Sequence, residues 1–579
     1  MGLRPLTTPA AHPSAPAERC RLPGTDAAWL SIQLEDSVET PDPGRDAAVL
    51  PSRADSLPAL EVTRTDDPAV VAEAARDDYS LHVVPRTWRL SAPKMALAWS
   101  AVMAAMFWVV VAAGASMVVG TIQTLVGLAA AVLVHGAICF AMSRTAARTG
   151  LTPGLFSRSM FGYYGASIAT FVFAVTGTWF AVFEGSVLAV AAQAQFGGPI
   201  QLWYLVVTAC AIPLVIGGVR VWLEKVNAYL LPVFAVGLVA TLVWATVKFG
   251  YHSGWLTSEP SVPTPMAGPG WLFVFALYMG VFSNMFYTFD FARMGRPQDT
   301  RVNGFHTFGF TFYFFTIFVN GAAGIYLAHT IPLPGGITES SLVTGIVKMM
   351  GILGLLFIFA TQTKINTANF YVASTNFQSF FSRVFRLTLP RIVWVFFVGV
   401  VSFAIMVLNV FSFINTWLSY QGAVLVAWVG IALVHMAFAT RRSTSRDVFE
   451  FRPGRVPNLN PGGVAAWVVS SGVGIYLIAT GSAVATTWAL VITFVLAVLV
   501  YAGALAVAKD GWFAVARPHD PRDEVASNWD DRVRCGVCHR SYVALEMDRD
   551  PRHGHEPICA ACATSGDFRT AALAESTAT

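Results

Sequence analysis

The chain has 579 residues, 55% of them hydrophobic and 12% charged, with a formal net charge of +4. Soluble domains carry about 25% charged residues, so the composition excludes a water-soluble globular protein over most of this length. The small positive balance comes from cations lying between apolar stretches, and it argues against a nucleic-acid partner.

Residues 1–78 are rich in Pro, Ala, Asp and Arg, with Pro9, Pro13, Pro16, Pro41 and Pro43 among them and no sustained hydrophobic period. Such a stretch buries too little apolar area to offset its chain entropy, which predicts a disordered tail. It holds no positively flanked apolar core of the signal-peptide kind, so insertion falls to the first membrane span. A short amphipathic approach over 79–90 follows, with Arg86 and Arg89 suited to a membrane interface.

About twelve apolar stretches then lie between Lys94 and Lys509. A run of roughly 20 apolar residues crosses a bilayer core of about 30 Å as a helix. The predicted spans are 95–120, 122–143, 165–193, 200–219, 226–249, 271–291, 305–328, 343–375, 391–410, 413–438, 464–482 and 485–508. Cations gather in alternate gaps: Arg144, Arg148 and Arg158; Arg220 and Lys225; Arg293, Arg296 and Arg301; Arg383, Arg386 and Arg391; and Arg441 to Arg455. Cations are retained on the cytoplasmic side. The pattern predicts an all-α, multi-pass protein of the plasma (inner) membrane, with a transmembrane domain over 79–510 and both termini cytoplasmic.

Polar groups at membrane depth are costly and face a cavity or a partner. The spans hold few of them: Gln123, His135, Glu184, Asn284, Asp290, Asn320, Lys364, Asn366, Asn369, Asn409 and Asn415. They concentrate in the sixth and eighth spans. Asp290, near Arg293, is expected to form a helix-end ion pair or a gate. Glu184 is a candidate counter-charge for Lys364, since a buried acid and a buried amine each need a partner. The chain lacks GxxxxGK[ST], so any transport would run on gradients. No paired acid/base or open metal constellation at reactive spacing is present, which argues against an enzyme.

The C-terminal segment carries Cys535-Gly-Val-Cys538 and, twenty residues on, Cys559-Ala-Ala-Cys562. This spacing lets two knuckles supply four thiolates to one tetrahedral zinc. A small zinc ribbon is expected over 528–566, structural or serving to dock a cytoplasmic protein, with a disordered tail over 567–579. His539, His553 and His555 are read as surface residues, and Cys20, Cys139 and Cys210 as inert.

Three segments carry a family resemblance: SRSMFGYYGAS at 157–167, TFDFARMGR at 288–296 and NTANFYVAS at 366–374. With their order and spacing, residues 79–508 resemble the nucleobase:cation symporter-1 family, the cytosine and purine permeases with their allantoin and hydantoin relatives. The resemblance implies a leucine-transporter-like fold of two inverted five-helix repeats plus two further helices. The first and sixth helices would be broken near mid-membrane. Gly280, Ser283 and Asn284 could host the break in the sixth, whereas the first span shows no explicit break point. The resemblance also implies import of a nucleobase or related planar heterocycle, held between Trp179 of the third span and Phe282 of the sixth, with Asn366 and Asn369 reading its polar rim. Thr176 stands where a common family member has Gln. Lys364-Ile365 replaces the neighbouring hydroxyl residues that complete a sodium site in sodium-coupled members. A hard cation needs oxygen ligands and an ammonium offers none, so sodium is not expected at that site. The Lys364 amine is expected to occupy or border it, as a permanent stand-in or as a titrating group that couples transport to protons. The coupling ion is read as a proton, with sodium as the alternative. A transporter-like sensor or scaffold signalling through the ribbon is the alternative.

Overall fold

The computed structural model describes residues 57–216, 224–264, 266–333, 339–387, 389–408, 414–442, 449–509 and 511–578. The expectations for residues 1–56, including Cys20, and for Asn409 and the Asn415 side chain lie outside the described residues. A short helix, α1 (Pro68–Asp77), precedes a bent pair, α2 (Ala92–Met103) and α3 (Met106–Val119), which meet at 45°. α4 (Thr121–Thr149), α5 (Pro153–Phe196), α6 (Ile200–Ala211) and α7 (Glu224–Phe249) follow. A second pair, α8 (Gly270–Met279) and α9 (Ser283–Ala292), is also bent by 45°. The remaining membrane-region helices are α10 (Pro297–Thr330), α11 (Glu339–Met350), α12 (Ile352–Val384), α13 (Arg391–Val407), α14 (Ile414–Arg442), α15 (Pro461–Thr480) and α16 (Ala483–Ala506).

Among the described residues, seven helices are long and apolar enough to cross a membrane, or nine with each bent pair taken as one span. The chain is therefore a multi-pass membrane protein. The other three of the twelve expected spans differ for physical reasons. α6 and α13 are apolar but short, and α12 has the length but carries Gln362, Lys364, Asn366 and Asn369. The eighth span, expected over 343–375, begins as α11. The chain turns at Gly351, whose φ of 60° favours glycine, and only then enters α12.

In lipid a broken helix persists only if the freed backbone groups find partners. At the first bend Ala105 is extended, with ψ 131°. Trp108 Nε1 donates to Val102 O (2.8 Å), Asn320 Nδ2 donates to Met103 O (2.8 Å), and Met106 N donates to Gln362 Oε1 (3.4 Å). At the second bend Gly280, Val281 and Phe282 form tight turns, their N–H groups donating to Leu277, Tyr278 and Met279 carbonyls. The helices cross closely elsewhere: a Cβ on Gly177 of α5 would lie 3.0 Å from Ala373 N and 3.1 Å from Asn369 O of α12.

Below one end of the bundle lies a small β-rich unit. β1 (Val62–Thr63) pairs antiparallel with β2 (Arg532–Arg534), which pairs with β3 (Ser541–Val543). β4 (Asp548–Asp550) pairs with β5 (Glu556–Ile558), and α17 (Gly566–Ala578) closes the chain. Two boundaries are thereby corrected. Residues 57–78, expected in a disordered tail, hold β1 and α1. The Asp67 side chain caps Ala69 N (2.8 Å), Pro68 opens the helix, and Val70 and Ala74 are buried. Residues 567–578, also expected to be disordered, are helical because Phe568 and Ala572 pack into the ribbon. Both segments are ordered by tertiary partners that their own composition does not announce.

Candidate functional site

The two bends face each other across a cavity of about 30 Å³. Its aromatic walls are Phe107 and Trp108 of α3, Phe180 of α5 and Tyr287 of α9. Its polar groups are Glu184, one turn along α5 from Phe180, Ser283 and Asn284 at the start of α9, and Asn369 of α12. Tyr287 Oη donates to Asn369 Oδ1 (3.0 Å), and Asn369 Nδ2 donates to Asn366 Oδ1 (3.2 Å). Glu184 Oε2 accepts from Gln362 Nε2 (2.5 Å), the same glutamine whose Oε1 takes the first amide of α3. Ser283 Oγ and Asn284 Nδ2 are buried with no partner among the described residues. Native interiors pair such groups, so the arrangement is suited to a polar solute.

A space this small admits a water or two, whereas ligand pockets run to roughly 300 Å³ and more. This conformation is therefore contracted around its polar groups. A second cavity, about 520 Å³, shares Phe107 and Val281 with the first and runs between α3, α8 and the α14–α16 region, past Gly114, Phe273 and Leu418. Among the described residues it is lined by no ionisable side chain, and it lies toward the ends of α3 and α8 remote from the ribbon. The ionisable and amide groups line the smaller cavity, and the larger one adjoins it.

The structure brings Glu184, Asn284 and Asn369 to the cavity, with Asn366 behind Asn369. It does not bring the others. Trp179 turns toward Trp417, ring centroids 5.1 Å apart at 35°, and Phe282 packs on His135 (5.2 Å, 82°) and Phe494 (6.3 Å). Thr176 Oγ1 is buried away from the cavity without a partner among the described residues. Adjacent helical residues point about 100° apart, so Phe180 takes the place expected for Trp179. The i, i+4 spacing of Phe180 and Glu184 was the available signal, since it puts an aromatic and an acid on one face. Trp108 and Tyr287 carried no such mark.

Lys364 is fully buried and points away from this cavity. Its Nζ donates to Ser100 Oγ of α2 (3.0 Å) and to Asn227 O of α7 (2.9 Å), and Asn227 Nδ2 donates to Ala98 O of α2 (3.2 Å). The amine thus ties three helices together. Glu184 is not its counter-charge, because that carboxylate is taken by Gln362.

Asp290 and Arg293 form an ion pair, Oδ1 to Nε 2.9 Å, with both side chains fully buried. Arg293 also donates to Asp78 O (2.8 Å), Tyr79 O (3.4 Å) and Tyr371 Oη (3.2 Å). The pair pins the segment before α2 against α9 and α12.

In the ribbon, the Sγ atoms of Cys535, Cys538, Cys559 and Cys562 all lie within 4.8 Å of one another. Tetrahedral zinc with Zn–S of about 2.3 Å needs sulfurs roughly 3.8 Å apart, and Cys538 Sγ to Cys559 Sγ is 4.0 Å. Cys559 N donates to Cys535 Sγ (3.3 Å) and Cys562 N to Cys559 Sγ (3.4 Å), contacts that favour thiolates. The donor set fits a structural zinc. His553 bonds Asp550 (3.0 Å) and stays outside the sulfur cluster.

These features define the class: a membrane protein with two broken helices meeting at a polar cavity. No protein-family model matches the chain, and no curated protein matches it. Among solved structures it is similar to MHP1, a nucleobase-cation-symport-1 family transporter in a closed conformation with bromovinylhydantoin bound. The TM-score is 0.59 at 17% identity, over 73% of this chain and 93% of that one. A Na+-coupled sialic acid symporter in a substrate-bound outward-open state matches at TM-score 0.49 and 14% identity, over 76% and 93% of the two chains. The first of these likenesses shows that the chain shares the fold of that structure.

Proposed function

We propose that the protein belongs to the nucleobase:cation symporter-1 family and is a secondary active transporter, not an enzyme. It imports a nucleobase or related planar nitrogen heterocycle, of purine, pyrimidine, allantoin or hydantoin type, in symport with protons. The observation that carries this is the cavity between the bends, where Trp108, Phe180 and Tyr287 surround Glu184, Asn284 and Asn369. A flat base presents two π faces and a polar rim. Stacking contributes about 1–3 kcal/mol per base, and each asparagine amide offers a donor and an acceptor to the rim. The Glu184 carboxylate accepts only, so it favours a substrate edge bearing N–H donors.

The carrier cycles by rocking a bundle of α2–α4 and α8–α10 against a scaffold of α5, α6, α12 and α13, with substrate entering by the larger cavity. Lys364 occupies the ion position between α2, α7 and α12, where its ammonium replaces a metal cation and proton transfer to and from it changes the tie between those helices. The termini and the ribbon lie in the cytosol of a cell bounded by this membrane, and the four thiolates hold zinc as a structural element. A thermal-shift screen of purified full-length protein against purines, pyrimidines, hydantoins and allantoin, with and without sodium at several pH values, tests the reading. Stabilisation by at least one heterocycle, independent of sodium, is the expected result. Stabilisation by none of them overturns it.

A further inference from the structure

The ribbon is bound on two sides to the carrier. On one side it holds the segment that leads into α2. Glu546, fully buried, accepts from the His82 ring (2.7 Å) and from Val83 N (2.8 Å), and His82 stacks on Tyr542 at 4.3 Å and 9°. Trp529 lies under the guanidinium groups of Arg86 (5.2 Å) and Arg89 (5.1 Å). That segment is in turn knitted to the end of α9: Leu90 N donates to Met294 O (2.7 Å) and Arg89 to Gly295 O (3.4 Å). On the other side the ribbon grips the start of α5 and the chain between α14 and α15. Arg569 lies 3.8 Å over the Tyr163 ring and donates to Pro453 O (2.6 Å), while Arg452 pairs with Asp520 (2.8 Å) and Arg455 with Asp548 (3.1 Å).

Residues of both grips flank the sulfur cluster. Tyr542 and Glu546 lie between the two knuckles, and Arg569 follows the second. Glu546, Arg452, Arg455, Asp548 and Arg569 are buried, so their charge-assisted contacts differ from exposed ion pairs of small net worth. The segment before α2 and the start of α5 are thus bridged by the one unit that carries the four-cysteine cluster.

We infer that the metal-loaded ribbon is a latch on the ribbon-side gate, holding 79–90 and the end of α9 closed over the substrate cavity, so that opening on that side requires its release. The inference rests on the transporter reading above and adds gate residues, Glu546 and Trp529, that lie outside the membrane helices. It would make transport sensitive to chelation or oxidation of the four thiolates.

Hydrogen exchange measured by mass spectrometry on the full-length, zinc-loaded protein in lipid nanodiscs tests this without any substrate, so its outcome is independent of which solute is carried. Glu546→Ala leaves the cysteines untouched, and metal analysis of that variant shows whether zinc is retained. With zinc retained, amides over 79–90 and at the end of α9 should exchange at least about tenfold faster than in the parent protein. Zinc removal by a chelator should do the same. Unchanged exchange over 79–90 in zinc-retaining Glu546→Ala would overturn the latch. So would chelation that exposes 532–562 alone.

Discussion

Replacing Lys364 by alanine should uncouple transport from the proton gradient. The Nζ group makes two hydrogen bonds, to Ser100 Oγ at 3.0 Å and Asn227 O at 2.9 Å, from a fully buried position. Hydrogen bonds to charged groups contribute about 1.5–3 kcal/mol each, and desolvation of the ammonium offsets part of that sum. A net tie of about 1–3 kcal/mol between α2, α7 and α12 corresponds to a roughly 5- to 150-fold bias toward the conformation seen here. The assay is uptake of a radiolabelled heterocycle into proteoliposomes under imposed pH gradients, with and without sodium. The parent protein should accumulate substrate without sodium and follow the pH gradient. Lys364→Ala should equilibrate substrate without accumulating it, and added sodium should not restore accumulation. Undiminished accumulation by Lys364→Ala with an unaltered pH profile would refute the reasoning.

Three other outcomes follow from particular contacts. Phe180→Ala should weaken substrate affinity by about 1–3 kcal/mol, roughly 5- to 150-fold, whereas Trp179→Ala, whose ring faces Trp417, should cost less than about threefold; isothermal titration of both variants separates them. Gly324→Ala would place a Cβ 1.9 Å from Val109 O, so it should lower stability by about 3 kcal/mol through overpacking of α10 on α3. Gly472→Ala, with nothing within 4 Å, should leave the melting temperature unchanged or slightly raised. Burial disfavours the His82 imidazolium, but Glu546 outweighs it and the ring titrates above its ordinary value. A raised folded pKa stabilises fully below about pH 6.5 and less as pH rises through the folded value. Amides over 79–90 should therefore lose protection as pH rises above about 6.5, after correction for intrinsic rates, and His82→Gln should remove that dependence.

The multi-pass architecture was legible because apolar run length is a local signal. The four-cysteine cluster was legible because the knuckle spacing itself brings the sulfurs together. The bend in the sixth span was flagged by Gly280 and Ser283. The bend in the first was not, because it falls at Ala104 and Ala105 and is held by partners distant in sequence, Gln362 and Asn320. The choice between Trp179 and Phe180 turned on one step of helical phase. Tryptophan is the more conspicuous residue, yet the acid four positions after Phe180 marks the inward face. Residues 57–78 and 567–578 read as disordered because their order comes from strand pairing and burial against the ribbon, which composition does not encode. Lys364 was legible as a cation within a predicted span, but its partners on α2 and α7 were not.

Accumulation of a radiolabelled heterocycle in proteoliposomes, compared between the parent protein and the double variant Glu184→Ala/Asn369→Ala at matched melting temperature, tests the central claim most directly. Loss of accumulation in the double variant is the predicted result. Full accumulation would contradict a substrate site between the two bends.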